Sequence, residues 1–206
     1  QIGWLYETTC TGCGELAPIK YFLLVKTVSC PHCRRQVDLF PGYRIAEAVR
    51  HPLEVYHCAE CDALREVEKS AAPVCAADLK ADGARRGRVT CRHCQENFAF
   101  AKAFDGAPRH RMYGIEYQCS HCYGSIRGRQ FKTPDNEDRE RQAKATALLA
   151  QQRDRLRIPN DEIPPGDETN RLLRWGYRRW SELFTDRQLL GLGLIMERIA
   201  AVPDQE

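Results

Sequence analysis

Ten of the eleven cysteines in this 206-residue chain stand in five Cys-x-x-Cys pairs: Cys10/Cys13, Cys30/Cys33, Cys58/Cys61, Cys91/Cys94 and Cys119/Cys122. Two thiolates three residues apart suit a tight turn that offers both sulfurs to one ion. Two such turns complete the tetrahedron that zinc prefers. The competing chemistry is a redox dithiol, which needs a strand–turn–helix setting that lowers one thiol's pKa. Nothing around these pairs resembles that setting. Sixteen residues separate Cys13 from Cys30, a hairpin-sized interval, so Cys10, Cys13, Cys30 and Cys33 are expected to form the first site.

Three pairs then remain, which cannot close two four-ligand sites. Cys75 is the one unpaired cysteine, and Asp78 follows three residues later. Cys75-Ala76-Ala77-Asp78 reads as a turn whose second thiolate is replaced by a carboxylate, a ligand zinc accepts. Eleven cysteines and Asp78 make twelve ligands (11 + 1), enough for three sites. One solution is nested: Cys75, Asp78, Cys91 and Cys94 inside Cys58, Cys61, Cys119 and Cys122. A second joins Cys58/Cys61 to Cys91/Cys94 and leaves Cys119/Cys122 to recruit Cys75 or a histidine. In a third, the Cys75 site carries no ion. The expected content is two to three zinc ions. His32, His93 and His121 each precede the second cysteine of a pair, where ring and sulfur cannot easily reach one ion together. They read as turn residues, as does His57; His51 and His110 carry no spacing signal.

No catalytic constellation accompanies the cysteines: there is no Gly-rich loop after a strand, no nucleophile elbow and no His-Glu-x-x-His helix. Sulfur-rich, closed ligand sets suit structural zinc rather than hydrolysis. Arg85, Arg86, Arg88, Arg109, Arg111, Arg127 and Arg129 form basic groups that suit phosphate contacts or solvated loops equally. The net charge of +3 is too small to announce a nucleic-acid partner by itself.

The elements that must hold these residues fall into two parts. Every cysteine lies between Cys10 and Cys122. Short apolar runs there, such as Tyr21–Val25 and Glu54–Tyr56, lead towards cysteine pairs and predict strands in hairpins. From Pro134 the pattern turns helical. Acidic Asp135, Glu137 and Asp138 open a helix carried by Ala145, Leu148, Leu149 and Leu156. Residues 159–168 are a linker. A second helix follows, with Leu173, Tyr177, Trp180 and Phe184 on one stripe. Thr185 then starts a Thr-x-x-Gln capping box and a third helix to about Ala201. That helix is too apolar to leave one face in water. If Leu189, Leu192, Met196 and Ile199 are its buried stripe, Leu190, Leu194 and Ile195 are left outside. It is expected to dock on the other helices, on a second copy or on an absent partner.

The expected fold is α+β: an array of small zinc-ribbon β-hairpins followed by a C-terminal helical segment. Its parts are a first ribbon at 1–50, nested second and third ribbons at 51–134, a charged helix at 135–158, the linker at 159–168 and a helical segment at 169–206. No stretch approaches the roughly 18 apolar residues of a membrane span. The opening Gln1-Ile2-Gly3-Trp4 has neither a basic head nor an apolar core, which predicts a cytoplasmic, reducing location. The missing initiator Met is compatible with a piece of a longer protein.

The run Trp4–Gly14, Tyr21-Phe22 and Cys30-Pro31-His32-Cys33 resembles the zinc-ribbon segment of large adenine-specific DNA methylases. Glu116–Cys119 and Phe131–Asp135 share the likeness. The most specific match is Tyr177–Leu190, similar to a Trp-x-x-Leu-Phe-x-x-Arg-Gln-Leu-Leu run that in that family leads back to the methylase core. The resemblance implies a structural zinc module, in contact with DNA, of an S-adenosylmethionine (SAM)-dependent methyltransferase. It also implies a role in modification–restriction or phage defence, with DNA and a methyltransferase core as partners. Relatives usually carry a full Cys-x-x-Cys where this chain has Cys75 and Asp78, which favours the nested pairing. The family's Gly-rich cofactor loop and Asp-Pro-Pro-Tyr motif do not occur here, so this chain by itself is expected neither to bind SAM nor to catalyse. The alternative is a stand-alone zinc-ribbon adaptor that binds proteins.

Overall fold

A computed structural model describes residues 2–48, 53–68, 84–123 and 129–202. Among them the chain forms antiparallel sheets and four helices, an α+β fold. It divides into two units. One comprises Glu7–Phe104 and Pro108–Pro134; the other comprises Gln1–Tyr6, Asp105–Ala107 and Asp135–Glu206.

The first of these is built on a single long strand, β2 (Leu16–Ser29). Between Pro18 and Cys30 the sequence Ile-Lys-Tyr-Phe-Leu-Leu-Val-Lys-Thr-Val-Ser contains no Gly, Pro, Asn or Asp. Nothing there can turn the chain, and the β-branched and aromatic residues favour extension. Strand β1 (Glu7–Thr9) pairs with the start of β2, and β3 (Gln36–Asp38) with its end. Strand β9 (Arg109–Tyr117) runs antiparallel along most of its length, from Thr27↔Arg109 to Ile19↔Tyr117, and β10 (Gln130–Lys132) pairs with β9. Two further groups are the three-stranded β4 (Arg44–Ala46), β5 (Glu54–Cys58) and β6 (Ala63–Val67), and the hairpin of β7 (Arg88–Thr90) and β8 (Asn97–Ala99). A four-residue helix, α1 (Ser120–Tyr123), precedes β10. Among the unit's buried apolar residues are Val25, Val28, Val37, Phe40, Val89, Phe98 and Phe100. Ala17, Ile115 and Tyr117 pack with Cys10 and Cys119, while Ala46, Val55 and Phe131 form another small cluster.

The other unit is helical. Helix α2 (Asn136–Gln152) starts at a capping box in which the Asp135 side chain accepts from the Asp138 N–H and the Asp138 side chain accepts from the Asp135 N–H. Helix α4 (Asp186–Ala200) starts at the expected Thr185–Gln188 box. Leu5, from a 3-10 turn at Gly3–Tyr6, packs with Ala145, Leu149, Leu156, Leu189 and Leu190. No helix among the described residues is long and apolar enough to cross a membrane.

Two helical expectations need correction. The stretch at 169–184 is not one helix but the five-residue α3 (Asn170–Arg174) and a 3-10 turn at Trp180–Leu183. Gly176 breaks it with φ of +90°, where an added Cβ would lie 2.2 Å from the Gly106 carbonyl oxygen. On α4 the buried stripe is not Leu189, Leu192, Met196 and Ile199 but Leu189, Leu190, Gly191 and Gly193. A Cβ on Gly191 would stand 2.8 Å from the Tyr6 hydroxyl, and one on Gly193 would stand 3.0 Å from Leu156. The two glycines let neighbours approach the helix closely, so the helix turns that face inward. Leu192, Ile195, Met196 and Ile199 are exposed.

Candidate metal centres

Four Cys-x-x-Cys turns converge in two groups, and both differ from the expected pairing. Cys10 and Cys13 lie with Cys119 and Cys122, and Cys30 and Cys33 lie with Cys91 and Cys94. The first turn does not meet the second because β2 separates them. Fourteen residues of continuous strand, at about 3.3 Å per residue, hold the two turns roughly 40 Å apart. Strand β9 instead carries Cys119 back beside Cys10, through the Ile19↔Tyr117 register. The nested arrangement is overturned as well, because Cys91/Cys94 and Cys119/Cys122 are both engaged with other pairs.

The geometry suits a tetrahedral ion. Cys10 Sγ lies 3.7 Å from Cys122 Sγ, and Cys13 Sγ lies 3.6 Å from Cys119 Sγ. In the second group Cys30–Cys94 and Cys33–Cys91 are each 3.7 Å apart. Metal–sulfur bonds of about 2.3 Å in a tetrahedron require sulfur–sulfur edges of about 3.8 Å. Neither group includes a histidine or leaves an oxygen ligand in the set.

Three of these turns share one backbone design. The N–H of Cys10 donates to Glu15 O, that of Cys30 to Arg35 O and that of Cys91 to Glu96 O. The N–H groups of Gly14, Arg34 and Gln95 donate back to the carbonyls of Cys10, Cys30 and Cys91. All three residues after the second cysteine are left-handed, at φ of +79°, +65° and +63°. Only glycine takes that conformation freely, so Arg34 and Gln95 are held in it by the turn around them. The fourth of these turns, Cys119–Cys122, is built differently, on α1. There the Cys119 N–H donates to Gln130 Oε1 at 2.6 Å, and the Cys122 N–H points at Cys119 Sγ at 3.5 Å.

The sulfurs are electrostatically poised for a cation. Burial raises the Cys10 thiol, but N–H groups from Gly12 and Cys13, with Cys119 and Tyr117, hold it at about 6. Cys91 is held at about 7 in the same way, against burial, by the N–H groups of Cys94 and His93. Their neighbours move oppositely. Cys94 receives a lowering bond from Glu96, yet burial and the sulfurs of Cys91, Cys30 and Cys33 push it to about 12. Cys122 is raised by Cys13, burial and Cys10. Four sulfurs this close do not all ionise alone, and a bound cation removes that conflict. Tyr117 closes the first group from below. Its buried hydroxyl lies 3.1 Å from Thr11 Oγ1 and 3.8 Å from Cys10 Sγ.

Cys58 and Cys61 join neither group among the described residues. Cys75 and Asp78, expected beside Cys91/Cys94, lie outside the described residues. Of the histidines, His57 is buried, with Nε2 bonded to Asp62 Oδ1 at 2.9 Å.

The arginines divide sharply. Arg85, Arg86, Arg88 and Arg109 are exposed. Arg111 is turned onto Asp38 and Asp62, at 2.5 and 2.8 Å. Arg129 grips the buried Glu116 with two bonds of 2.8 and 2.7 Å. Both guanidiniums are neutralised by carboxylates, a partnership the sequence spacing carries no sign of. Arg127 lies outside the described residues. Asp38, Asp62 and Arg111 also line a cavity of 220 Å³ with Phe40, Tyr43 and His57.

No family model, curated protein or solved structure matches this chain.

Proposed function

We propose that the chain is a structural zinc-ribbon module of an adenine-specific, SAM-dependent DNA methyltransferase, without catalysis of its own. The observation that carries the structural part is the closure of two all-cysteine sets between turns 106 and 58 residues apart in sequence. An ion with four thiolate ligands has no open position for substrate or water, so its work is to fasten those segments together. Zinc is the ion that best suits tetrahedral sulfur, and ligands kept as free thiols suit the cytoplasm. The assignment to a methyltransferase, and to modification–restriction or phage defence, rests on the residues of Trp4–Gly14 and Tyr177–Leu190. The DNA contact rests on the exposed Arg85, Arg86, Arg88 and Arg109; Arg111 and Arg129 are committed to internal ion pairs.

Duplex-DNA binding across a salt series tests this reading. Affinity that falls steeply with salt, and falls further in an Arg86→Ala/Arg88→Ala variant, supports the DNA contact. No binding at low salt contradicts it. The second reading is a protein-binding adaptor, favoured by the exposed Leu192, Ile195, Met196, Ile199 and Val202 near the end of the chain. It predicts capture of a protein partner that is lost on Ile195→Asp, with no dependence on DNA.

A further inference from the structure

We propose that Cys58 and Cys61 are half of a third metal site, already folded for its ion. This rests on the metal-binding part of the reading above and extends it to a turn outside both four-cysteine groups.

The turn shares three features with the strand-flanked turns in those groups. Each of those begins with a cysteine paired to the residue five positions on: Cys10 to Glu15, Cys30 to Arg35 and Cys91 to Glu96. Cys58 is opposite Ala63, at the same offset, where β5 returns as β6. Each has a left-handed residue directly after its second cysteine. Asp62 occupies that position here, with φ of +52°. The exposure pattern also agrees: Cys58 is buried and Cys61 is exposed, as the first cysteine of every other pair is buried and the second more open.

A four-residue loop between two strands has simpler ways to turn, without a non-glycine residue in the left-handed region. Here Asp62 is held there by its side chain, through His57 on one oxygen and Arg111 on the other. Its carboxylate therefore braces the turn from the side. The Arg65 guanidinium donates to Cys61 Sγ at 3.5 Å, which favours the thiolate that a metal requires. A redox role fits less well, because this turn joins two strands and lacks the helix N-terminus that lowers a dithiol's pKa. The ligand class is a thiophilic divalent cation, zinc above all. The turn supplies two of its ligands.

The test is metal counting joined to thiol mapping on the whole chain. Native mass spectrometry is expected to find three zinc ions per wild-type chain and two in Cys58→Ser/Cys61→Ser. Alkylation of the native wild-type protein is expected to spare Cys58 and Cys61 until a chelator is added, a readout that needs no variant to fold. Two zinc ions, with Cys58 and Cys61 alkylated before chelation, would overturn the third site alone. No zinc at all would overturn it together with the two four-cysteine sites.

Discussion

The two units of this chain are held together by different means. The helical unit has a continuous apolar core: Leu5, Leu149, Leu189 and Leu190 are buried in contact with one another. The sheet unit also buries apolar residues, Val28, Val37, Phe40, Phe98 and Phe100 among them, and in one of its clusters Cys10 and Cys119 pack with Ala17, Ile115 and Tyr117. A structural metal fastens short hairpins to one another at the points where their turns meet. The difference teaches that the cysteine groups are part of the packing of the sheet unit, whereas the core of the helical unit contains no cysteine.

Removing metal should therefore separate the two units most strongly. Structural zinc contributes on the order of 10 kcal/mol to small modules of this kind. Chelation, or Cys119→Ser, is expected to collapse hydrogen-exchange protection across β1, β2, β9 and β10. Protection of α2 and α4 should persist. Equal loss in both units would erase the comparison.

The reverse experiment targets the helical core. Leu190 is fully buried, and Leu190→Ala should cost about 2–5 kcal/mol. Thermal or denaturant unfolding should report this, with zinc content unchanged. A smaller effect belongs to the cap of α4. Thr185→Ala removes the acceptor for the Gln188 N–H and should cost about 1 kcal/mol in the same assay. Loss of zinc in either variant would mean that the sulfur sites depend on the helical core.

Much of this was legible in the residues, and the failures have physical causes. The five Cys-x-x-Cys turns, the Thr185 cap and the breaks between the helices follow from local chemistry. The pairing of the turns does not, because loop length alone does not distinguish a hairpin from one continuous strand. Residues 19–28 lack any turn-forming residue, and that absence was the available signal that Cys13 and Cys30 end a single strand. The inward face of α4 escapes a hydrophobic count, which ranks glycine below leucine. Gly191 and Gly193 are nonetheless where neighbours come closest. Arg111 and Arg129 look alike with Arg109 in sequence. Only the β2–β9 and β9–β10 registers reveal which of them meet a carboxylate.

The central claim is that sulfur pairs distant in sequence share one ion, so the most direct test asks which thiols are released together. Cys10→Ser/Cys13→Ser should be treated with an alkylating reagent under native conditions and each cysteine scored by peptide mass spectrometry. The pairing described here predicts that Cys119 and Cys122 become reactive while Cys30, Cys33, Cys91 and Cys94 stay protected. Reactivity at Cys30 and Cys33, with Cys119 and Cys122 still protected, would contradict it.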